Sequence, residues 1–311
     1  MLAVLDTAAG PRLRAVLDRY ASDAFRIVDC DRAEADRFTA LLGEADAVLH
    51  VLHPFAAADF ASAPSLRLVQ KLGVGVNTID LDTARARSIA VCNLPGVNAP
   101  AVVEATLLGM LAALRQLGTY DSATRAGRGW TLPAALGEGS AEIRGKTVGL
   151  IGFGDIASSL ALVLAALGAT VVHHARRSDR PGWLPLTELL KTSDIVSLHV
   201  PFDDTTRGLL SADRLASMKP GAVLVNTARG GLVDHDGLIR ALTDGPLRAA
   251  ALDTFAAEPI DPADPLLTLA NVVLTPHVAW LTLETLARCV ERAAVNLSRL
   301  AAGDELLHRV V

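Results

Sequence analysis

The sequence predicts an α/β protein of two domains, each built on a parallel sheet. Three observations predict it. The chain has 311 residues, more than one hydrophobic core usually organises. Short apolar runs alternate with longer helical patterns in two successive tracts. A glycine-rich turn heads the second tract. Hydrophobic residues make up 51% of the chain and charged residues 20%, a composition that can fill sizeable cores.

Composition also narrows the function. The formal net charge of -5 gives no general attraction to nucleic acid or to an anionic membrane, and neither is expected as a partner. Cys30, Cys92 and Cys289 are odd in number, far apart and without CxxC spacing. No disulfide framework or zinc site is expected from them, and they read as reduced core thiols of a cytoplasmic protein. The opening MLAVLDT meets Asp6 too soon for a secretory segment, and no uncharged apolar run reaches membrane-spanning length.

In the first tract LAVLD precedes RLRAVLDRYA, AVLHVL precedes AAADFASA, LRLVQKLGV precedes LDTARARS, and IAVCN follows. Each pair is a strand-to-helix unit. Arg85 and Arg87 read as a solvated face of their helix. Pro95, Gly96 and Pro100 then break the pattern. The next stretch, AVVEATLLGMLAALRQLG, is apolar on more than one side and is expected to be a buried helix joining two domains. RAGRGWTLPAALGEGSAEIRG follows as an arm or loop, with Trp130 packed locally or against a second subunit. From Lys146 the runs TVGLIG, TVVHH, DIVSLHV, AVLVNTA, RAAALDTF and NVVLTP are short and β-branched, as in strands buried on both faces. The closing helical pattern, LTLETLARCVERAAVNLSRLAAG, is long enough to return to the first domain. The expected domains are therefore residues 1–98 with 285–311, and residues 99–284.

Gly152, Gly154 and Ala157 form a GxGxxA pattern between a strand and an apolar helix. The chemistry of a bound pyrophosphate asks for this: a tight turn, backbone open to the phosphates, a small residue for close helix packing, and a helix N-terminus, here opened by Asp155 and Ile156. An NAD site carries an acidic residue about 20 positions later to hold the ribose 2'-hydroxyl. That position is Ala175, followed by Arg176 and Arg177. A carboxylate would repel a 2'-phosphate, whereas guanidiniums offer it forked donors. NADP(H) is the predicted preference with NAD(H) as the alternative, and two merely solvated arginines are the competing reading.

Three later segments, VNTARGGLVD with Arg229, ALDTFAAEP with Glu258 and VVLTPHVAW with His277, resemble signature blocks of the D-isomer-specific 2-hydroxyacid dehydrogenases. Upstream, KLGVGVNTIDL and NLPGVNAPAVVEAT are similar to that family's substrate loop and interdomain segment. The resemblance implies a flavodoxin-like substrate domain and a Rossmann dinucleotide-binding domain, an active-site cleft between them, and a homodimer. The implied reaction is reduction of a small 2-keto acid to the D-2-hydroxy acid.

The residue types suit that reaction. The developing alkoxide needs a proton, which His277 can give; a carboxylate beside the imidazole, Glu258, favours its charged form. Arg229 can grip the substrate carboxylate with two parallel donors. By resemblance, Gly73, Val74 and Gly75 would expose amides to that carboxylate, His53 would line the substrate pocket and Asn98 would be a hinge. Thr106 and Asp253 would approach the nicotinamide, with Val200, Pro201, Thr227 and Ala228 along the cofactor. His50 and His53 lack the further ligands a metal requires, so none is expected. His173 and His174 read as strand residues beside the adenosine.

Departures from the family pattern bear on specificity. Ala175 stands where NAD-dependent members have an acid, and Thr254 where valine is common. The PHVAW form, with Trp280, is similar to members described as glycerate dehydrogenases or hydroxypyruvate reductases, which favours hydroxypyruvate or glyoxylate. A formate-dehydrogenase-like enzyme would have glutamine in place of Glu258. A catalytically idle dinucleotide-sensing corepressor of the same architecture, or an NAD-dependent dehydrogenase of another substrate, is the alternative.

Overall fold

The alternation of strands and helices follows the apolar pattern in a computed structural model that describes residues 1–311. In chain order the elements are β1 (Leu2–Leu5), α1 (Pro11–Tyr20), β2 (Arg26–Asp29), α2 (Ala35–Glu44), β3 (Ala47–His50), α3 (Ala57–Ala61), β4 (Leu68–Lys71), α4 (Leu81–Ala86) and β5 (Ala90–Cys92). There follow α5 (Ala99–Leu114), α6 (Leu117–Arg125), α7 (Ala134–Glu138), β6 (Thr147–Ile151), α8 (Asp155–Ala166), β7 (Thr170–His174), α9 (Leu186–Thr192), β8 (Ile195–Leu198) and α10 (Ala212–Ala216). The last are β9 (Ala222–Asn226), α11 (His235–Thr243), β10 (Leu247–Leu252), β11 (Val272–Leu274) and α12 (Leu283–Ala302). They group into two units, Met1–Asn98 with Leu281–Val311, and Ala99–Trp280. No single helix is long and apolar enough to cross a membrane.

The first unit is a five-stranded parallel sheet in the order β2-β1-β3-β4-β5. Strands β1, β3, β4 and β5 are buried throughout, so they read as continuous apolar runs. Strand β2 is an edge strand with an exposed Arg26 and only half-buried successors, which is why RIVD gives no such signal. With it the sequence pattern also passes over α2, whose Phe38 and Leu42 enter the same core as Val4, Val48, Phe60 and Val69. Helix α12 is capped by the Thr282 hydroxyl and ends at Gly303 in the left-handed region. Its buried Asn296 donates to Gln70 Oε1 at 2.6 Å and exchanges hydrogen bonds with the Leu307 backbone. That tail pairs with the free edge of β5 through Val91 and Val310.

One detail adds to the sequence pattern and another differs from it. Arg85 and Arg87 are exposed, as a solvated face should be, but the Arg87 guanidinium also donates to the carbonyls of Phe60 and Ala63 and so pins the end of α3. The long helix expected to run to Gly118 stops at Leu114, because Gln116 turns left-handed at φ 51° and sends its side chain to Leu136 O. The arm beyond it contains the short helix α7. Trp130 is 88% exposed, so the arm does not pack it locally.

The second unit is a six-stranded parallel sheet in the order β11-β10-β9-β8-β6-β7. Helices cover both faces, with one core around Leu198, Leu224 and Leu238 and the other around Met110, Leu160 and Val225. The winding reverses beside β6, which pairs with β7 on one side and β8 on the other. All three cysteines are buried, and burial raises the thiols of Cys92 to about 11 and Cys289 to about 12.

Phe60 is fully buried and meets Phe55 edge to face at 4.8 Å. Replacing it with alanine is expected to cost about 3–5 kcal/mol, read as a lowered urea midpoint with an unchanged slope.

Candidate active site

The glycine turn is dictated by crowding. Gly152 has φ +96°, and a Cβ there would stand 2.3 Å from His199 O, so no other residue fits. Its amide donates to His174 O at 2.7 Å, and His199 N donates to Ile151 O at 2.7 Å, which ties the ends of β6, β7 and β8 together. A Cβ on Gly154 would meet nothing within 4 Å. Gly154 precedes α8 without a side-chain cap, leaving the first amides of that helix open. Asp155 and Ile156 form its first turn, and Ala157 is fully buried against the sheet. Val200 stands beside Gly152 and Pro201 follows it at the surface. Backbone left uncovered at a helix N-terminus, at the point where a doubly wound sheet reverses, is the geometry that accepts a dinucleotide pyrophosphate. The residues present therefore fit such a cofactor.

Beyond β7, Ala175 O accepts the Trp183 indole N–H at 2.9 Å. Arg176 and Arg177 are exposed at the mouth of this loop. His173 is buried and stacks on Phe153 of the glycine turn at 3.9 Å. Burial, and then the charges of Arg180 and His174, push His173 below the usual imidazole range. Burial likewise pushes His199 down to about 4, so both rings are neutral at pH 7.

At the end of β9, Asn226 shapes the next loop: its Oδ1 accepts the Ala228 amide at 3.0 Å and its Nδ2 donates to Arg229 O at 2.9 Å. Thr227 Oγ1 lies 2.8 Å from Thr106 Oγ1, and Thr106, fully buried, also donates to Val102 O. A Cβ on Gly230 would fall 1.9 Å from the Phe255 carbonyl carbon. Only glycine lets the Arg229 loop press against the loop carrying Glu258. Glu258 Oε1 accepts the Phe255 amide at 2.9 Å, and Oε2 lies 2.7 Å from His277 Nδ1.

His277 is held by its backbone. At φ 56° it is left-handed, and its amide donates to Asp253 O at 2.7 Å. The buried Asp253 carboxylate accepts from Thr275 Oγ1, Val278 N and Ala279 N at 2.6, 2.9 and 2.9 Å. Asp253, which the resemblance sets beside the nicotinamide, is thus occupied in holding the histidine loop.

The electrostatics are coupled. Burial alone would raise Glu258, but hydrogen bonds from His277 and the Phe255 amide, with the charges of His277 and Arg229, hold it below the usual carboxylate range. Burial lowers Arg229 from its usual range, against the pull of Glu258, and it remains a cation at neutral pH. The His277 and Glu258 side chains are 17% and 36% exposed, so the pair is shielded yet reachable.

The structure brings Arg229, Glu258 and His277 into one cluster of the second unit, and the glycine-turn residues into another. Asn226 and His199 escaped the sequence reading. A polar residue closing the all-apolar strand AVLVN was the available signal for Asn226. In the first unit, Gly73 O accepts Leu94 N at 2.7 Å and Val74 O accepts Asn93 Nδ2 at 2.9 Å. The amides of Val74 and Gly75 donate to no protein acceptor. His53 is exposed and Asn98 directly precedes α5.

A dinucleotide turn in a doubly wound sheet, joined with an Arg, Glu and His cluster, defines a nicotinamide-dependent oxidoreductase. Residues 107–279 match the family model for the D-isomer specific 2-hydroxyacid dehydrogenase NAD binding domain. Glyoxylate reductase of Aeropyrum pernix is 40% identical over 84% of this chain and 81% of that one. D-3-phosphoglycerate dehydrogenase of Mycobacterium tuberculosis is 39% identical over 88% of this chain, which spans only 52% of that longer protein. The crystal structure of a protein from Thermus thermophilus superimposes with a TM-score of 0.87 at 34% identity, over 100% of both chains. The chain belongs to the D-isomer-specific 2-hydroxyacid dehydrogenase family, NAD(P)-dependent oxidoreductases acting on CH–OH donors.

Gly230→Ala is expected to lower the reaction rate by roughly a hundredfold, because a misplaced Arg229 loop loses orientation. Steady-state rates beside a calorimetric scan check this; an active variant would show that the close approach is dispensable.

Proposed function

We propose that the protein reduces a small 2-keto acid, hydroxypyruvate or glyoxylate, to the D-2-hydroxy acid with NADPH as preferred donor. The observation that carries this reading is the 2.7 Å contact of Glu258 with His277 Nδ1. With Nδ1 committed to the carboxylate, Nε2 is the nitrogen free to face a substrate. The bound nicotinamide supplies hydride to the carbonyl carbon. His277 gives its Nε2 proton to the carbonyl oxygen, Glu258 stabilises the imidazolium before that transfer, and Arg229 holds the carboxylate and polarises the carbonyl. The unpaired amides of Val74 and Gly75 are assigned to the same carboxylate, and His53 to the substrate side chain.

Thr106, Thr227, Ala228, Val200 and Pro201 are assigned to the cofactor, and Arg176 and Arg177 to its 2'-phosphate. The absence of an acid at Ala175 supports that preference. Likeness to a glyoxylate reductase and the PHVAW segment support the small substrate. The exposed Trp130 supports a homodimer, and the cytoplasm is the proposed location.

Rates with glyoxylate, hydroxypyruvate, pyruvate, phenylpyruvate and 3-phosphohydroxypyruvate, each with NADPH and NADH, test the assignment. We expect glyoxylate or hydroxypyruvate to lead and NADPH to outperform NADH. Arg176→Ala with Arg177→Ala is expected to weaken NADPH by about tenfold or more while sparing NADH. Better turnover with NADH throughout would refute the arginine assignment, and no turnover with cofactor still bound would favour a sensor.

Glu258→Gln keeps a hydrogen-bonding group but removes the charge that favours imidazolium. The reduction rate at pH 7 is expected to fall by roughly a hundredfold, and the alkaline limb of the profile to move to lower pH. An unmoved profile would argue against an imidazolium acid.

A further inference from the structure

A chain of three side chains in the first unit, two fully buried and the third, Thr78, half-buried, has no part in the chemistry above. Asp6, directly after β1, and His50, the last residue of β3, are both fully buried. His50 Nδ1 lies 2.5 Å from Asp6 Oδ2, and on the other side of the ring Nε2 lies 2.8 Å from Thr78 Oγ1. The other Asp6 oxygen accepts the Val51 amide at 2.7 Å. Apolar residues of similar volume would serve stability as well as a buried polar pair, so its stabilising value does not explain it. Its effect is orientational. Burial holds His50 below the usual imidazole range against the pull of Asp6, with Lys71 and Arg32 adding to the depression. A neutral ring donating from Nδ1 can only accept at Nε2, so the Thr78 hydroxyl is fixed as a donor.

Thr78 ends the loop that carries the unpaired amides. The front of that loop is clamped through the carbonyls of Gly73 and Val74. At the back, Phe55 N donates to Thr78 O at 2.7 Å and Ile79 N to Val76 O at 3.0 Å. Between the clamps, the consecutive amides of Val74 and Gly75 have no acceptor, and successive free amides are the groups with which a backbone can hold an anion.

We propose that Asp6, His50 and Thr78 form a positioning relay that holds the Val74 and Gly75 amides in place for the carboxylate of a 2-keto acid. The inference rests on the assignment of this loop to the substrate made under Proposed function. Thr78 is a positioning residue: its hydroxyl acts through the loop and is committed to His50.

Thr78→Val removes the hydroxyl at nearly constant shape, and Thr78→Ser restores it. With saturating NADPH, the valine variant is expected to raise KM for glyoxylate about tenfold while kcat and KM for NADPH stay within about twofold, and the serine variant to behave as wild type. Without substrate, hydrogen exchange of the Phe55, Ile79 and Leu94 amides, which donate to the loop carbonyls of Thr78, Val76 and Gly73, should quicken about fivefold or more in the valine variant alone. Unchanged exchange overturns the relay whatever the kinetics. Faster exchange with an unchanged KM shows instead that the relay holds the loop but the carboxylate binds elsewhere, which overturns the loop assignment and the inference's functional half. A fall of kcat with a rise of both KM values, alike in the valine and serine variants, would mark general disruption and overturn it as well.

Discussion

A carboxylate buried at the end of β10 makes the rest of this site usable. Asp253 receives a hydroxyl and two amides on its oxygens and a third amide on its own carbonyl. These four bonds hold a loop in which a non-glycine residue, His277, adopts a left-handed backbone. Such a conformation persists only where its surroundings over-determine it. Once the backbone is held, the imidazole has one place to go, against Glu258, and the carboxylate there is already oriented by the Phe255 amide. Orientation is thus built from the strand end outward to the imidazole.

Charge follows the same logic of separation. The second unit keeps one set of histidines neutral by burial, His173 and His199 around the glycine turn. It gives another histidine a carboxylate and a nearby guanidinium. The contrast comes from environment, since the residue type is the same. A neutral lining suits a turn that must accept anionic phosphates through backbone amides, while a charged cluster suits proton transfer.

Much of this was legible in the sequence where a physical rule has a one-dimensional image. Strands buried on both faces write themselves as apolar runs, and the crowding at Gly152 and the opening at Gly154 write themselves as glycines. The edge strand β2 was not legible, because half-exposed strands carry no continuous run. The stop of α5 at Gln116 depends on a side chain reaching Leu136, a contact between positions that no local pattern links. At the site, the residue types of Arg229, Glu258 and His277 could be read from their blocks. The commitment of Asp253 to the histidine loop could not, since a polar residue at a strand end looks the same whether it faces inward or outward.

The buried cysteines carry a consequence for durability. A 2-oxo acid such as glyoxylate is an electrophile that adds to thiolates and to free amines. Cys30, Cys92 and Cys289 are shut away from solvent, and the two with the highest thiol values would stay protonated in any physiological medium. The chain also places only 4 lysines among its 29 basic residues, and arginine is a far poorer amine nucleophile. A protein so short of reactive sulfur and nitrogen offers small carbonyl electrophiles few nucleophiles to modify.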